Sequence, residues 1–238
     1  MIPQWQTGIV KSIVQATPHT RRYFIELPET PSFTFAPGQF MTLDLPIHEQ
    51  RNKRWRSYSI ASTPDNTNII ELAIVHVKEG EGGSDYIFKN ITQGSQLTMR
   101  GPQGVFVLPP LDKELYMICT GTGIAPFRSM LHYIHNNNLP HKPIKLIFGT
   151  RRQEDLLYAD EMRELEKLIP NFSYHPVLSR ETWAGDTGYV HAVYEKLCAD
   201  RGPANFMLCG WREMIDEAKA RLHDMGYDRH DVHVEIYG

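Results

Sequence analysis

The spacing of apolar residues changes once along the chain, at Pro109-Pro110, and this change limits the folds open to it. Before the two prolines come short runs that alternate apolar and polar positions: GIVKSIVQAT, RRYFIEL, PGQFMTLDL, RSYSIAS, IIELAIVHV and SQLTMRGPQGVFVL. Glycine and proline break them at close intervals, which predicts antiparallel strands in a barrel or sandwich over about residues 5–110. One helix fits there, SDYIFKNI, with Ser84 as its N-cap. After the prolines, continuous apolar runs (LYMIC, IKLIFG, FSYHPVL, NFMLCG, VHVEIY) alternate with helical segments (FRSMLHYIH, DEMRELEKLI, VHAVYEKLCAD, REMIDEAKARLHDMG). That alternation predicts a doubly wound parallel sheet with crossover helices. The fold class expected is therefore two-domain: an antiparallel β-barrel over 1–111, then an α/β domain over 112–238.

Composition excludes several functions. The formal charge of -3 over 238 residues gives no reason to expect nucleic acid as a partner. No run of about 18 apolar residues occurs and the first twenty residues lack an apolar core, so neither a membrane span nor a signal peptide is expected. Cys119, Cys198 and Cys209 are too few and too scattered for a disulfide framework or an iron–sulfur site, which points to reduced thiols and a cytoplasmic protein. Eleven histidines, among them His76, His191 and His233, form no metal-binding spacing, and these three are expected on strand or helix surfaces. No metal site is expected.

LYMICTGTGIAPF runs a buried strand straight into Thr120, Gly121, Thr122 and Gly123. A glycine turn at the carboxyl end of a first parallel strand lets backbone N–H groups approach a pyrophosphate, and Pro126 suits the first position of the helix that follows. A Gly-x-Gly turn also serves merely to connect a strand to a helix, and this stretch is neither the full dinucleotide fingerprint nor a P-loop.

Seven short motifs narrow the reading: PGQF (37–40), R-x-Y-S (56–59), GGS (82–84), GPxGxF (101–106), GTGIAPF (121–127), LCGW (208–211) and VEIYG (234–238). In this order they resemble the ferredoxin:NADP reductase family, and the likeness spans nearly the whole chain. The resemblance implies FAD on the first domain and NADPH on the second, with NADH possible. It implies that Arg56 pairs with the FAD pyrophosphate, Tyr58 stacks on the isoalloxazine and Ser59 hydrogen-bonds near flavin N5. A guanidinium fork, an aromatic ring and a hydroxyl suit those three tasks. Gly82, Gly83 and Ser84 would form a second anion site for the FAD phosphates, and His76 and Val77, closing IIELAIVHV, count among the flavin-binding positions. Cys209 would border the nicotinamide, Glu235 would share a polar network with Ser59, and Tyr237 would cover the other flavin face. Ser59, Cys209 and Glu235 are thus the catalytic candidates.

Dinucleotide choice is a matter of charge. Ser179 and Arg180, past the third parallel strand, and Arg151, past the second, resemble the residues with which NADP-using relatives hold the 2'-phosphate. Downstream, Thr187 and Tyr189 stand where some relatives carry another cation; Tyr189 could stack on adenine or cap a helix. Arg51, Lys53, Arg54 and Arg56 make a basic segment that is either an ordinary charged loop or a dock for an acidic carrier. The activity implied is hydride transfer between NADPH and FAD, with single electrons passed to or from ferredoxin, flavodoxin or another small carrier, by a monomer or weak dimer. The alternatives are the reductase component of an oxygenase system using NADH, and a non-catalytic flavin electron-relay subunit.

Overall fold

A computed structural model describes residues 3–237 and divides them into two compact units. The first reaches Val107 and adds Ala125–Tyr133; the second holds Leu108–Ile124 and the chain from Ile134 on.

The first unit contains β1 (Trp5–Thr17), β2 (Thr20–Glu26), β3 (Phe40–Asp44), β4 (Trp55–Ser59), β5 (Ile69–Val75), α1 (Gly83–Asn90) and β6 (Gln96–Gln103). The strands form one antiparallel sheet in the order β4-β3-β6-β1-β2-β5. Its two edges meet: Ile60, just past β4, bridges Leu72 of β5, and Ala61 N–H donates to Glu71 O at 2.8 Å. Closure removes the unpaired strand edges that an open sheet would expose. Alternate positions of each strand face inward, so Val10, Tyr23, Ile25, Met41, Leu43, Leu72 and Met99 fill the core. The last predicted strand is shorter than the motif SQLTMRGPQGVFVL suggests, because pairing stops at Gln103.

The second unit contains β7 (Glu114–Thr120), β8 (Ile144–Thr150), α3 (Ala159–Leu168), β9 (Phe172–Leu178), β10 (Asp186–Thr187), α4 (Val190–Leu197), β11 (Ala204–Trp211), α5 (Arg212–Asp224) and β12 (Val232–Tyr237). Between β7 and β8 runs α2 (Ile124–Asn136), most of which belongs to the first unit. The sheet is parallel, in the order β10-β9-β8-β7-β11-β12. The chain steps outward from β7 to β10 and then crosses to β11, so the topological switch point lies between β7 and β11. Tyr116, Ile118, Ile147, Val177, Phe206 and Leu208 pack beneath apolar faces of α4 and α5, as continuous apolar strands require. In α5 the buried residues Met214, Ile215, Ala218 and Leu222 recur at helical spacing. Two-residue β10 is too short to carry a periodic signature in the sequence.

Candidate functional site

In the first unit, Arg56 and the start of α1 come together. The Arg56 guanidinium donates from Nη2 to Glu81 O at 2.7 Å and pairs with the Glu81 carboxylate at 3.1 Å. Its Nη1 donates to Trp55 O at 2.8 Å and Lys53 O at 3.0 Å. A Cβ on Gly83 would stand 2.6 Å from Arg56 Cγ, so only glycine lets the arginine lie across the first turn of α1.

Ser84 is not the N-cap. Gly82, at φ 80°, holds that place, and no side chain caps the helix. The Ser84 hydroxyl instead accepts from Val77 N–H at 3.0 Å. The uncapped amide donors of the first helical turn therefore sit beside a guanidinium, an arrangement suited to a phosphate. His76 is drawn into the support of the same helix. Its Nε2 lies 2.9 Å from Asp85 Oδ1 and its ring stacks on Phe88 at 4.6 Å. Lys89 and His76 hold the Asp85 carboxyl below its ordinary range.

Tyr58 is partly buried against the barrel core, and burial raises its phenol's pKa, so the ring is held neutral. Ser59 closes β4 and is buried.

In the second unit, the glycine turn and the end of β11 meet at the switch point. Gly121–Gly123 form a single 3-10 turn that runs directly into α2 at Ile124, which makes Pro126 the third residue of the helix and not the first. A Cβ on Gly123 would collide with the carbonyl of Cys209. Thr120 Oγ1 accepts from Trp211 N–H at 3.3 Å. Cys209 lies within β11, in register with Glu235 of β12 and Cys119 of β7. Its Sγ donates to Glu235 Oε2 at 3.9 Å. Burial, then the Glu235 carboxylate, push its thiol well above the ordinary range, so Cys209 is a neutral donor and no nucleophile. Tyr237 pairs with Trp211 across β12 and β11; Gly238 lies outside the described residues.

Ser179 and Arg180 follow β9 directly, tied to β8 by Ser179 N–H to Thr150 O at 3.0 Å and Arg180 N–H to Arg151 O at 2.9 Å. One cleft is lined by Arg180, Glu181, Arg152 and Glu154. Arg152, the second arginine of FGTRR, lines this cleft beside Arg180. Glu181 accepts from Gln153 N–H at 2.8 Å, so a carboxylate is fixed beside the two cations. Tyr189 is the N-cap residue of α4 without a capping hydrogen bond, and it is 74% exposed, leaving its ring face open.

His191 departs from expectation. It is buried between α4 and α5, with Nδ1 3.1 Å from Tyr194 Oη and Nε2 3.3 Å from Glu217 Oε2. Among the described residues no group of acidic, histidine or cysteine side chains could hold a metal, and no helix is long and apolar enough to cross a membrane.

Residues 8–108 match the oxidoreductase FAD-binding domain and residues 117–220 the oxidoreductase NAD-binding domain. Over 232 residues the chain is 34% identical to ferredoxin–NADP reductase B of Sorangium cellulosum, covering 93% of both chains. The chain belongs to the ferredoxin–NADP reductase family. This ferredoxin–NADP reductase family member is 26% identical to the solved ferredoxin NADP+ reductase of Neisseria gonorrhoeae with bound FAD and NADP, with a TM-score of 0.81 and 98% of each chain covered. It is also 32% identical over 193 residues to the anthranilate 1,2-dioxygenase electron transfer component of Acinetobacter baylyi, matching 80% of this chain but 54% of that protein's length. It is thus an FAD- and NAD(P)-dependent oxidoreductase.

Proposed function

We propose that the protein exchanges electrons between NADPH and a separate small carrier protein, ferredoxin or flavodoxin, with FAD held by the first unit and the dinucleotide by the second. The single observation that carries the FAD assignment is the uncapped first turn of α1 lying under the Arg56 guanidinium. Arg56 and the backbone of Gly82, Gly83 and Ser84 bind the FAD phosphates; Tyr58 lies against the flavin ring and Ser59 hydrogen-bonds at its N5 edge. His76 and Val77 serve this site by holding α1, since the His76 ring engages Asp85 and the Val77 amide engages Ser84. Bound FAD supplies the exchange between a hydride pair and single electrons.

On the second unit, Thr120 to Gly123 with Pro126 form the pyrophosphate cradle, Tyr189 stacks on adenine, and Cys209 and Glu235 orient the nicotinamide. Arg180, Ser179, Arg151 and Arg152 favour the 2'-phosphate of NADPH. Three buried free cysteines suit a reducing, cytoplasmic setting and a carrier that brings its own iron–sulfur cluster or flavin. The test is anaerobic addition of NADPH to the FAD-loaded protein: bleaching followed by reduction of added ferredoxin or flavodoxin supports the reading. An unreduced flavin would make the protein a passive relay.

A second reading, an NADH-linked oxygenase reductase, is favoured by Glu154 and Glu181. These two carboxylates in the arginine cleft weaken its attraction for a 2'-phosphate.

A further inference from the structure

The strand IIELAIV places one acidic residue, Glu71, in an otherwise apolar run, and the first unit buries it: its side chain is 3% exposed. Two guanidiniums meet it. Arg22 of β2 pairs in a fork, Nε to Oε1 at 2.7 Å and Nη2 to Oε2 at 2.9 Å. Arg128, in the part of α2 that belongs to the first unit, donates Nη1 to Oε2 at 3.2 Å and to Ala61 O at 2.7 Å.

An apolar closure of the barrel would avoid desolvating three charges, so stability alone does not account for this cluster. Its geometry indicates what it specifies. Ala61 lies two residues past Ser59, and three backbone groups of Ile60 and Ala61 are held by hydrogen bonds. Ile60 N–H donates to Gln39 O at 2.9 Å, Ala61 N–H donates to Glu71 O at 2.8 Å, and Ala61 O accepts from Arg128. Ser62 Oγ accepts from Glu71 N–H at 3.1 Å. The same residue, Glu71, thus grips the segment through its backbone and, by way of Arg128, through its carboxylate.

We propose that Arg128 and Glu71 are positioning residues for Ser59, fixing the end of the flavin strand so that the serine hydroxyl meets the reacting edge of the flavin. The inference rests on the assignment of Ser59 to that edge. Displacing a positioned group by about an ångström can cost on the order of a hundredfold in rate. Arg128→Met should therefore lower the limiting rate of flavin reduction by NADPH about tenfold or more, with the NADPH concentration for half-saturation within about threefold of wild type. Both contacts come from the one nitrogen, Nη1, so Arg128→Lys, which keeps the charge and the donors on a shorter side chain, should recover part of the rate.

The visible absorption bands of bound FAD, recorded without NADPH, should shift in Arg128→Met in the same sense as in Ser59→Ala. If Arg128→Met does not take up FAD, Arg128→Lys carries the comparison. An unchanged limiting rate and spectrum in the arginine variant, with both altered in Ser59→Ala, would overturn the positioning role alone. If Ser59→Ala also leaves both unchanged, the assignment of the serine is wrong and the inference goes with it.

Discussion

The side chain of Arg56 lies across Gly83, near enough that a single methyl group on that glycine would stand 2.6 Å from the arginine's Cγ. Gly83→Ala should therefore displace the guanidinium from the first turn of α1. Weakened FAD affinity, by about tenfold or more, is the expected result, since a charge-assisted hydrogen bond contributes roughly 1.5–3 kcal/mol. Fluorescence titration of the apoprotein with FAD measures it, and unaltered affinity would remove Arg56 from the phosphate site.

Arg180 and Glu181 share a cleft but pull a 2'-phosphate in opposite directions. Arg180→Ala should raise KM for NADPH much more than for NADH, and Glu181→Gln should lower KM for NADPH by a few-fold while leaving NADH alone. Steady-state kinetics with both dinucleotides decide the matter. Equal effects on the two would place the phosphate elsewhere.

Burial pushes the imidazoles of His175, His191 and His233 below their ordinary pKa. In the native state they resist protonation that the unfolded chain accepts below about pH 6.5. The unfolded form then binds more protons, so stability rises with pH through this window and is lost as pH falls. The urea midpoint at pH 5 should lie below that at pH 7. His191→Gln should flatten the dependence between those two values; an unaltered slope would show that its burial does not contribute.

All three cysteines are free and buried, and burial raises the thiol pKa of each. A thiol reagent at neutral pH should label none of them in the native protein and all of them in denaturant. Rapid native labelling of Cys209 would contradict its place within β11.

Arg51 and Arg54 both face Asp44, at 3.8 and 2.8 Å, so the basic segment is partly neutralised. Arg51 nonetheless remains 66% exposed. If this segment docks an acidic carrier, added salt should slow carrier reduction and leave ferricyanide reduction unaltered. A salt-independent rate with both acceptors would reduce it to a charged loop.

Local periodicity made the strands and helices readable, because a strand with one buried face must alternate and a strand buried on both faces cannot. Two-residue β10 and the cap of α1 were not readable in this way. Ser84 has the chemistry of an N-cap, yet its hydroxyl is taken by Val77, seven residues earlier, and sequence spacing does not report that competitor. His191 reads as one of many surface histidines until α5 brings Glu217 against it.

By itself the order of motifs determined the family and the two cofactors, FAD and a nicotinamide dinucleotide, since glycine turns, R-x-Y-S and the terminal strand are local requirements of binding. Only the tertiary structure decided which charges act together. The Arg56 side chain meets α1 more than twenty residues on, Arg152 joins Arg180 across β8 and β9, and Glu71 collects arginines from β2 and α2. The physical reason is that a charge's effect depends on its distance and desolvation, and both are set by which strands lie side by side.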